Sequence, residues 1–325
     1  MTSKNLPRVV VVRGDSVLNV RAMKAGFVGL VGLPNVGKST LLNQILGEKI
    51  AIATPKPQTT RTRLLGVHHD KERGAQIAFV DTPGLHRPSG RGRTKLNAFM
   101  MHEALSAVAE VDAIVLLVDA EDKEARTPDR AGPKFALGEI EKAKKPVILA
   151  LNKVDRVKQK PLLLPILEAW EKAYAFAAIV PISAKNGSNV DRLVSAIVDV
   201  LPEGEPLFEE DMLTDRAERW IAAEYIREQV FLLVKQEVPY AVAVTIDEWE
   251  DRDKDVVVRA TIHVEKEAQK RILVGAGGSM VREIGTRARA EIARMVGKPA
   301  HLTLFVRVDE GWTESDRALR DMGYE

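Results

Sequence analysis

The stretch GLVGLPNVGKSTLLNQILG, residues 29–47, places a glycine-rich turn between a short apolar run and a segment with helical spacing. Because glycine has no Cβ, the backbone can bend sharply there and point several amide N–H groups at one phosphate. Two glycines around four residues, followed by lysine and a hydroxyl residue, form the phosphate-loop pattern. The preceding run GFVGLV predicts a buried strand, and TLLNQIL predicts a helix whose N-terminus faces the phosphates. The expected phosphate contacts come from Gly32, Asn35, Val36, Gly37, Lys38, Ser39 and Thr40.

The overall composition bounds the class of protein. A chain of 325 residues favours two domains over one. Its 48 basic and 46 acidic residues nearly cancel, so a nucleic-acid surface would have to be a local patch. The absence of cysteine excludes disulfides, cysteine-ligated zinc and thiol catalysis. The longest apolar runs, such as AIVLLV at residues 113–118, are too short to span a bilayer, so we expect a soluble cytoplasmic protein.

Changes in composition divide the chain into four parts. Residues 1–25 contain no convincing signal peptide and are expected to form a disordered extension, with Met23 as a second candidate start of translation. Alternating apolar and polar segments over residues 26–200 predict the first domain. Residues 201–215 are rich in proline and acid and are predicted to be a linker. Residues 216–325 are predicted to form a second, smaller α+β domain.

The first domain has the pattern of an α/β fold. Short apolar runs alternate with polar segments of helical spacing, which predicts a mostly parallel sheet covered on both faces. Ligands of such sheets bind at the carboxyl ends of the strands. The predicted strands after the first helix are AQIAFVD from Ala75, VDAIVLLVD from Val111, KPVILALNK from Lys145 and AAIVPIS from Ala177.

The motif DTPG follows the first of these strands. Asp81 stands at the strand end, where its carboxylate can hold magnesium through water, and Gly84 leaves an amide for the terminal phosphate. The same four residues are also favourable turn residues. Their position after an apolar strand, downstream of a phosphate loop, favours the nucleotide role.

Two further motifs select the base. The carboxylate of Asp155, in NKVD, can accept hydrogen bonds from N1 and the exocyclic amino group of guanine, whereas adenine offers an acceptor at N1. The SAK motif is expected to close the base pocket, with an amide such as that of Ala184 meeting the guanine O6. A helix N-cap is the alternative role of Ser183. The predicted base pocket consists of Asn152, Lys153, Asp155, Ser183, Ala184 and Lys185.

With GLPNVGKST, DTPG, NKVD and SAK in this order, the first domain resembles the translation-factor-related class of P-loop GTPases. The resemblance implies GTP and GDP as ligands, with Lys38 on the β and γ phosphates. It further implies that Ser39, Asp81 and a threonine of a switch segment hold Mg²⁺. Within PKPQTTRTR that threonine is Thr59 or Thr60, and we expect Thr60. The expected catalytic set is Lys38, Thr60, Asp81 and Gly84.

The residue after DTPG is Leu85, where a Ras-like enzyme has a glutamine that orients water. Because leucine cannot hydrogen-bond the attacking water, we expect slow intrinsic hydrolysis that is assisted from elsewhere. Asn35 occupies the phosphate-loop position that supplies a K⁺ ligand in related GTPases without the glutamine, so K⁺ is a further candidate cofactor. The charged segment HRPSGRGRTK, residues 86–95, is either a mobile switch or a solvated loop.

The second domain carries a different glycine loop. Gly275 and Gly278 bracket two residues between two helical runs, a pattern that resembles the loop with which KH domains clamp single-stranded RNA. Basic residues outnumber acidic ones around it. The predicted order of helix, two strands, two helices and a final strand, AHLTLFVRV, is that of the bacterial, type II, KH arrangement. The expected RNA contacts are Lys270, Arg271, Gly275, Ala276, Gly277, Gly278 and Arg282.

The two domains in this order, with VEKEAQKRILVGAGG and the closing GWTESDRALRDMGY, resemble the Era family of ribosome-assembly GTPases. The resemblance implies a monomer that binds 16S ribosomal RNA near its 3′ end and assists assembly of the 30S subunit, with nucleotide state controlling the RNA domain. The loop departs from the family in carrying Ala276 and Gly277 where a lysine is usual, which puts one phosphate contact in doubt. A membrane-associated signalling switch, peripheral to the cell membrane, and a passive RNA chaperone are the alternatives.

Overall fold

The structure, a computed structural model, describes residues 11–13, 16–18, 23–85, 94–234 and 238–324. The chain forms two compact units, and each unit is built from three segments that are not consecutive in the sequence. The first unit consists of residues 1–48, 63–86 and 104–215, and the second consists of residues 49–62, 87–103 and 216–325. Two segments of the predicted first domain therefore belong to the second unit.

A central sheet forms the first unit. Its strands are β3 (Met23–Gly32), β4 (Leu64–Asp70), β5 (Ala75–Asp81), β6 (Ala113–Asp119), β7 (Val147–Asn152), β8 (Ala178–Pro181) and β9 (Glu203–Gly204). The order is β4-β5-β3-β6-β7-β8, with β9 paired to β3. The pairs from β5 to β8 are parallel, whereas β4 is antiparallel to β5. The prediction of a mostly parallel sheet is confirmed, but the edge strand β4 was not predicted.

Helices cover both faces of this sheet, as the burial of its central strands requires. Nearly every residue of β6 and β7 is buried, which explains why these strands are continuous apolar runs. The helices are α1 (Lys38–Leu46), α2 (Lys95–Glu110), α3 (Ala131–Ala143), α4 (Leu163–Ala173) and α5 (Val190–Val200). The first part of α2, residues 95–103, belongs to the second unit.

The ends of the predicted first domain differ from expectation. Within residues 1–22, β1 (Val11–Arg13) pairs antiparallel with β2 (Ser16–Leu18), and the predicted disorder otherwise falls outside the described residues. The strand β3 starts at Met23, before the expected boundary. The predicted linker lies in the first unit, because β9 pairs with β3 and the side chain of Gln76 binds the backbone of Leu207 and Phe208.

The second unit has the element order that the sequence predicts for a KH domain. Its elements are α6 (Glu218–Leu233), β10 (Ala243–Asp251), β11 (Val256–Val264), α7 (Glu267–Val274), α8 (Ser279–Val296), β12 (Ala300–Val308) and α9 (Asp316–Asp321). The strand β11 is antiparallel to β10 and parallel to β12. The apolar stripe of α6 packs with α8 and β11 in the core, as expected of a core-facing helix.

Both segments that join the second unit bury apolar side chains in it. Ile52 packs in a cluster with residues of α6, β11 and α8. Leu96 and Met100, in the first turns of α2, pack in a cluster with Trp312, Leu319 and Tyr324. These two segments are therefore part of the hydrophobic core of the second unit.

Candidate nucleotide-binding and RNA-binding sites

The phosphate loop connects the end of β3 to the start of α1. Gly37 has φ 100°, and a Cβ on it would lie 2.4 Å from Nδ2 of Asn152, so only glycine fits there. That side-chain amide donates to the carbonyl oxygen of Val36 at 2.7 Å, and its oxygen accepts from the amide of Ala184 at 2.9 Å. Asn152 thereby brings together three motifs that the sequence singled out.

Lys38 is buried under the loop. Its ammonium group donates to the carbonyl oxygens of Gly32 at 3.4 Å and Leu33 at 3.2 Å. Burial lowers the pKa of Lys38 to about 8, while the nearby carboxylate of Asp81 opposes this shift. A poorly solvated ammonium among amide groups at a helix N-terminus fits the phosphates of a nucleotide.

The candidate metal position lies at the end of β5. The hydroxyl of Ser39 donates to Oδ2 of Asp81 at 2.6 Å, and both residues are buried. One hydroxyl and one carboxylate are oxygen donors that suit Mg²⁺, which usually completes its shell with water and substrate phosphates. Among the described residues, no group of three or more His, Cys, Asp or Glu side chains is placed to hold a metal ion by itself.

The residues after Asp81 turn beneath the phosphate loop. A Cβ on Gly84 would lie 2.8 Å from the backbone nitrogen of Pro34, so the two loops approach too closely for a larger residue. The amide of Leu85 donates to the carbonyl oxygen of Gly32 at 3.0 Å, and its side chain is fully buried. Leu85 is therefore a core residue in this structure. Residues 86–93 of the predicted switch lie outside the described part of the chain.

The base-recognition motifs lie close together. The hydroxyl of Ser183 donates to Oδ1 of Asp155 at 2.6 Å, and α5 begins only at Val190, so the helix N-cap alternative for Ser183 is wrong. The amide of Ala184 donates to the side-chain oxygen of Asn152 at 2.9 Å. Of the other predicted residues, Lys185 is exposed beside this loop.

The sequence analysis missed one contact of this site. Lys153 has φ 63°, and its ammonium group donates to the carbonyl oxygen of Asn35 at 2.7 Å and to Asp119 at 2.6 Å. Asp119 ends β6, and an aspartate at the end of an apolar strand was the available signal. The pair links the exposed turn of the phosphate loop to the base-recognition loop.

The two switch threonines lie in the second unit. The hydroxyl of Thr59 donates to the carbonyl oxygen of Lys56 at 2.8 Å and lies 2.7 Å from the hydroxyl of Thr54. Its carbonyl oxygen accepts from Arg227 at 2.5 Å. Thr59 is buried, whereas Thr60 is partly exposed.

The glycine loop joins α7 to α8 as predicted. Gly275 has φ 70°, and a Cβ on it would lie 2.8 Å from the backbone nitrogen of Met280. Gly277 and Gly278 also have positive φ, but a Cβ on either would meet no atom within 4 Å. The first glycine is thus required by the fold, while the space beside the later two is open to a ligand.

An open groove of about 480 Å³ begins at this loop. Its lining combines apolar side chains with two arginines, a combination that suits nucleic-acid bases and phosphates. The lining residues are Gly278, Val281, Arg282, Gly285, Thr286, Arg289, Leu302, Thr303 and Leu304. The predicted Gly278 and Arg282 belong to it, while Lys270 and Arg271 lie on α7. The contribution of β12 was missed, because the alternation of that strand does not distinguish a core face from a groove.

Neighbouring acidic residues neutralise part of the positive charge around the glycine loop. Arg287 forms an ion pair with Glu283 at 2.7 Å, and Arg294 forms one with Glu291 at 2.8 Å, both within α8. The positive charge of α8 is therefore concentrated at the arginines of the groove.

Comparison with known proteins identifies the family of each part of the chain. Residues 27–153 match the family described as 50S ribosome-binding GTPase, and residues 237–313 match the KH domain family. The chain is 45% identical over 302 residues to the GTPase Era of Geotalea daltonii, covering 93% of this chain and 98% of that protein. The chain belongs to the Era family of GTPases. The GTPase Era of Trichlorobacter lovleyi is 46% identical over 303 residues, with the same coverage.

Two solved Era structures have the same fold. One is an Aquifex aeolicus Era variant bound to GDP·AlF4⁻, and the other is Era in complex with MgGDPNP and nucleotides 1506–1542 of 16S ribosomal RNA. Each has a TM-score of 0.87 and 40% identity, and covers 93% of this chain and 99% of its own. The predictions of a P-loop GTPase domain, a KH domain and Era-family membership are confirmed.

Proposed function

We propose that this protein is a GTPase that binds GTP and GDP with Mg²⁺, binds 16S ribosomal RNA near its 3′ end, and assists assembly of the 30S subunit in the cytoplasm. The observation that carries the proposal is the presence, in one Era-family chain, of an intact phosphate loop held to a guanine-recognition motif and a glycine loop that opens into a basic groove. The Era complex with MgGDPNP and 16S ribosomal RNA contains both ligand classes.

The contacts of each nucleotide motif support a separate role in binding the phosphates, the base or the metal ion. The phosphate-loop amides and Lys38 bind the phosphates, and Asp155, held by Ser183 at 2.6 Å, accepts the guanine N–H groups. Ser39, Asp81 and Thr60 would hold Mg²⁺, which supplies charge neutralisation to the phosphates when it is bound. Gly84 lets the loop after β5 approach the phosphate loop, so that its amide can serve the terminal phosphate.

Leu85 cannot orient the attacking water, so another group has to assist GTP hydrolysis in this chain. The buried leucine offers no hydrogen bond to water, so the intrinsic rate should be slow. Asn35 is exposed at the turn of the phosphate loop, where a K⁺ ion could neutralise developing charge. Rates measured in KCl and NaCl at matched ionic strength test this role, and equal rates would contradict it.

The RNA-binding proposal uses the groove beside the glycine loop. Backbone amides of Ala276 to Gly278 would clamp phosphates, Arg282 and Arg289 would neutralise them, and Leu302 and Leu304 would contact bases. Lys270 and Arg271 would extend the positive surface along α7. The missing lysine at Ala276 should lower affinity without changing sequence preference, because phosphate contacts carry no sequence information.

The alternatives are not favoured. An anionic membrane would require a helix with an apolar face and interfacial aromatic residues, whereas α8 exposes mainly arginine, together with serine, threonine, glutamate and alanine. Among the residues that the structure describes, no helix has the length and low charge needed to cross a bilayer. A passive RNA chaperone does not need the retained Lys38, Asp81 and Asp155. A monomer remains our expectation for the free protein.

The deciding experiment measures GTP hydrolysis and RNA binding on the same protein preparation. GTP hydrolysis is followed with and without an oligonucleotide of the 16S 3′ end, and binding is compared with a scrambled oligonucleotide of equal length. We expect selective RNA binding and guanine-specific hydrolysis. Equal affinity for the scrambled RNA, or hydrolysis of ATP at the same rate as GTP, would contradict the proposal.

A further inference from the structure

A single arginine of the switch segment is buried in the second unit. Arg61 is 2% exposed. One terminal nitrogen of its guanidinium donates to the carbonyl oxygen of Val242 at 2.6 Å and lies 3.0 Å from the hydroxyl of Tyr324. The other donates to the carbonyl oxygens of Pro239 at 3.2 Å and Tyr240 at 3.0 Å. Such a number of partners is needed to offset the desolvation of a buried cation.

Aromatic rings complete the environment of Arg61. Its guanidinium carbon lies 5.9 Å from the ring centroids of Trp312 and Tyr324 and 6.0 Å from that of Phe231. Trp312 and Tyr324 stack on one another, with centroids 5.9 Å apart and an angle of 14° between the rings. The arginine is therefore held by packing, cation–π contact and hydrogen bonds together.

Contacts on the other side of Thr60 hold the same segment. The carbonyl oxygen of Thr59 accepts from the buried Arg227 of α6, and the amide of Ala53 donates to the buried Glu228 at 3.0 Å. The residues before and after Thr60 are thus both bound to the second unit. A displacement of Thr60 would therefore strain the contacts of Arg61.

The segment after DTPG ends on the same aromatic pair. Phe99 of α2 lies edge-on to Tyr324, with ring centroids 6.0 Å apart, and Leu96 and Met100 pack in the cluster that contains Trp312. Two segments that follow the two phosphate-contacting motifs therefore meet at one place. That place is the closing motif GWTESDRALRDMGY, for which the sequence analysis found no role.

From this motif a hydrogen-bonded path leads to the glycine loop. The hydroxyl and amide of Thr313 donate to Oε1 of Glu265, at 2.6 and 3.3 Å. The amide of Glu265 in turn donates to the side chain of Gln269, in the first turn of α7, at 2.9 Å. The helix α7 ends at Val274, directly before Gly275. Movement of Trp312 would thus be passed to the start of the helix that carries the RNA-binding loop.

We propose that Trp312 and Tyr324 form the element through which the nucleotide site sets RNA affinity. Arg61 is the positioning residue, because its contacts with the two rings link them to the switch segment. The inference rests on the proposed function and adds the residues that carry its regulation. Coupling of two ligands is reciprocal, so the same pair also sets how far RNA strengthens GTP binding. Neither aromatic residue needs to contact GTP or RNA.

The test compares RNA affinity in two nucleotide states. A 16S 3′-end oligonucleotide is titrated onto the full chain loaded with GDPNP or with GDP, and the ratio of the two dissociation constants gives the coupling. We expect a ratio of about five or more in the wild type, a usual size for allosteric coupling. Tyr324→Phe removes only the hydroxyl contact with Arg61, and Thr313→Val removes the hydroxyl contact with Glu265. Both should bring the ratio towards one.

A matched control and a spectroscopic readout separate coupling from stability. Tyr174→Phe removes a phenol hydroxyl from the first unit and should leave the ratio unchanged. In protein labelled with 5-fluorotryptophan, the ¹⁹F resonance of Trp312, assigned with Trp312→Phe, should differ between the GDP and GDPNP forms. A merely structural role of Trp312 predicts one position for both forms.

The outcomes distinguish this inference from the proposed function. Equal RNA affinity in both nucleotide states of the wild type would contradict nucleotide control itself. A wild-type ratio that persists in Tyr324→Phe and Thr313→Val, with an unmoved Trp312 resonance, would overturn the sensing pair alone. Circular dichroism of each variant establishes that both units are folded, and the two conservative variants decide the question even where Trp312→Phe unfolds.

Discussion

The side-chain amide of Asn152 donates a hydrogen bond to the carbonyl oxygen of Val36 at 2.7 Å, joining the base-recognition motif to the phosphate loop. The same side chain accepts from Ala184, so one residue fixes the relative positions of the three loops that carry the predicted nucleotide-binding motifs. Preorganisation of this kind lowers the ordering cost of binding.

Replacing Asn152 with alanine should weaken GTP and GDP binding together. The change leaves the buried amide of Ala184 and the carbonyl oxygen of Val36 without their partner, at a cost of about 1–3 kcal/mol for each group. We expect both affinities to fall by about 10- to 100-fold. Titration calorimetry measures the loss. Asn186→Ala, at an exposed site in the neighbouring loop, is the matched control and should retain wild-type affinity.

Guanine selectivity should depend on Asp155. Asp155→Asn replaces one acceptor by a donor, which suits xanthine because a carbonyl group stands where guanine has its amino group. We expect xanthosine triphosphate to outcompete GTP in this variant, and competition binding measures the preference. Ser183→Ala, which removes the hydrogen bond to Asp155, should lower GTP affinity without changing the preferred base. A variant Asp155→Asn that still prefers GTP would mean that the base lies elsewhere.

Much of this site could be predicted from the sequence, because phosphate-loop chemistry is local. The bend before Lys38, the acid ending β5 and the guanine-recognition motif each occupy a few consecutive residues. What could not be predicted depends on contacts between distant parts of the chain. Arg61 looks like an ordinary surface arginine in PKPQTTRTR, and only the fold brings it to Val242 and Tyr324.

The same limitation applies to β4 and to the linker. The run LLGVHHD mixes apolar and polar residues, and its hydrogen bonds to β5 and to the backbone of Leu213 form only in the folded chain. Residues 201–215 have the composition of a linker, yet Gln76 binds the backbone of Leu207 and Phe208. Composition indicates the structure that a segment prefers in isolation. Here tertiary hydrogen bonds hold the predicted linker against the first unit.

Nucleotide binding should take up a proton above neutral pH because of Lys38. Its pKa of about 8 in the folded protein is below the ordinary 10.5, so the unfolded chain binds more protons between these values. The free energy of unfolding of the nucleotide-free protein should therefore rise between pH 8 and 10.5. Bound phosphates restore the charge of Lys38, so GTP affinity should fall about fivefold from pH 8 to pH 9.

Calorimetric titrations at pH 9 in two buffers of different ionisation enthalpy measure this proton uptake. We expect close to one proton per nucleotide at pH 9 and almost none at pH 6.5. In Lys38→Arg the positive charge persists at all these pH values, so the uptake should disappear. Equal uptake in this variant and the wild type would assign the titration to another group.

Alanine substitutions of Thr59 and Thr60 should have different effects. Thr60→Ala should lower GTP hydrolysis by about 10- to 100-fold and weaken the Mg²⁺ dependence of GDPNP binding, because the proposed metal ligand is lost. Thr59→Ala removes the hydroxyl contacts with Lys56 and Thr54 and should instead lower the free energy of unfolding by about 1 kcal/mol. Mg²⁺ titrations of GDPNP affinity and chemical denaturation measure the two effects. Reversed phenotypes would assign the metal to Thr59.

The glycine loop offers a test in which charge is separated from shape. Gly278 has φ 77° and open space beside it, and both asparagine and aspartate tolerate this backbone conformation. Gly278→Asn and Gly278→Asp therefore add nearly the same volume, but only the second adds a negative charge facing phosphate. We expect Asp to weaken binding of the 16S 3′-end oligonucleotide by about tenfold more than Asn at low salt, with the difference shrinking as salt is raised.

Restoring a lysine to the loop should have the opposite effect. Ala276 is exposed, so Ala276→Lys can place an ammonium group against the RNA backbone without disturbing the core. One added phosphate contact should steepen the slope of log K against log salt by about 0.7, the increment for single strands. Filter binding at several salt concentrations measures the slope, and GTP affinity should remain unchanged because the phosphate loop belongs to the other unit. Ala290→Lys, at an exposed position of α8 outside the groove lining, is the control for general positive charge. If the two lysine variants bind RNA alike, the loop does not face the phosphates.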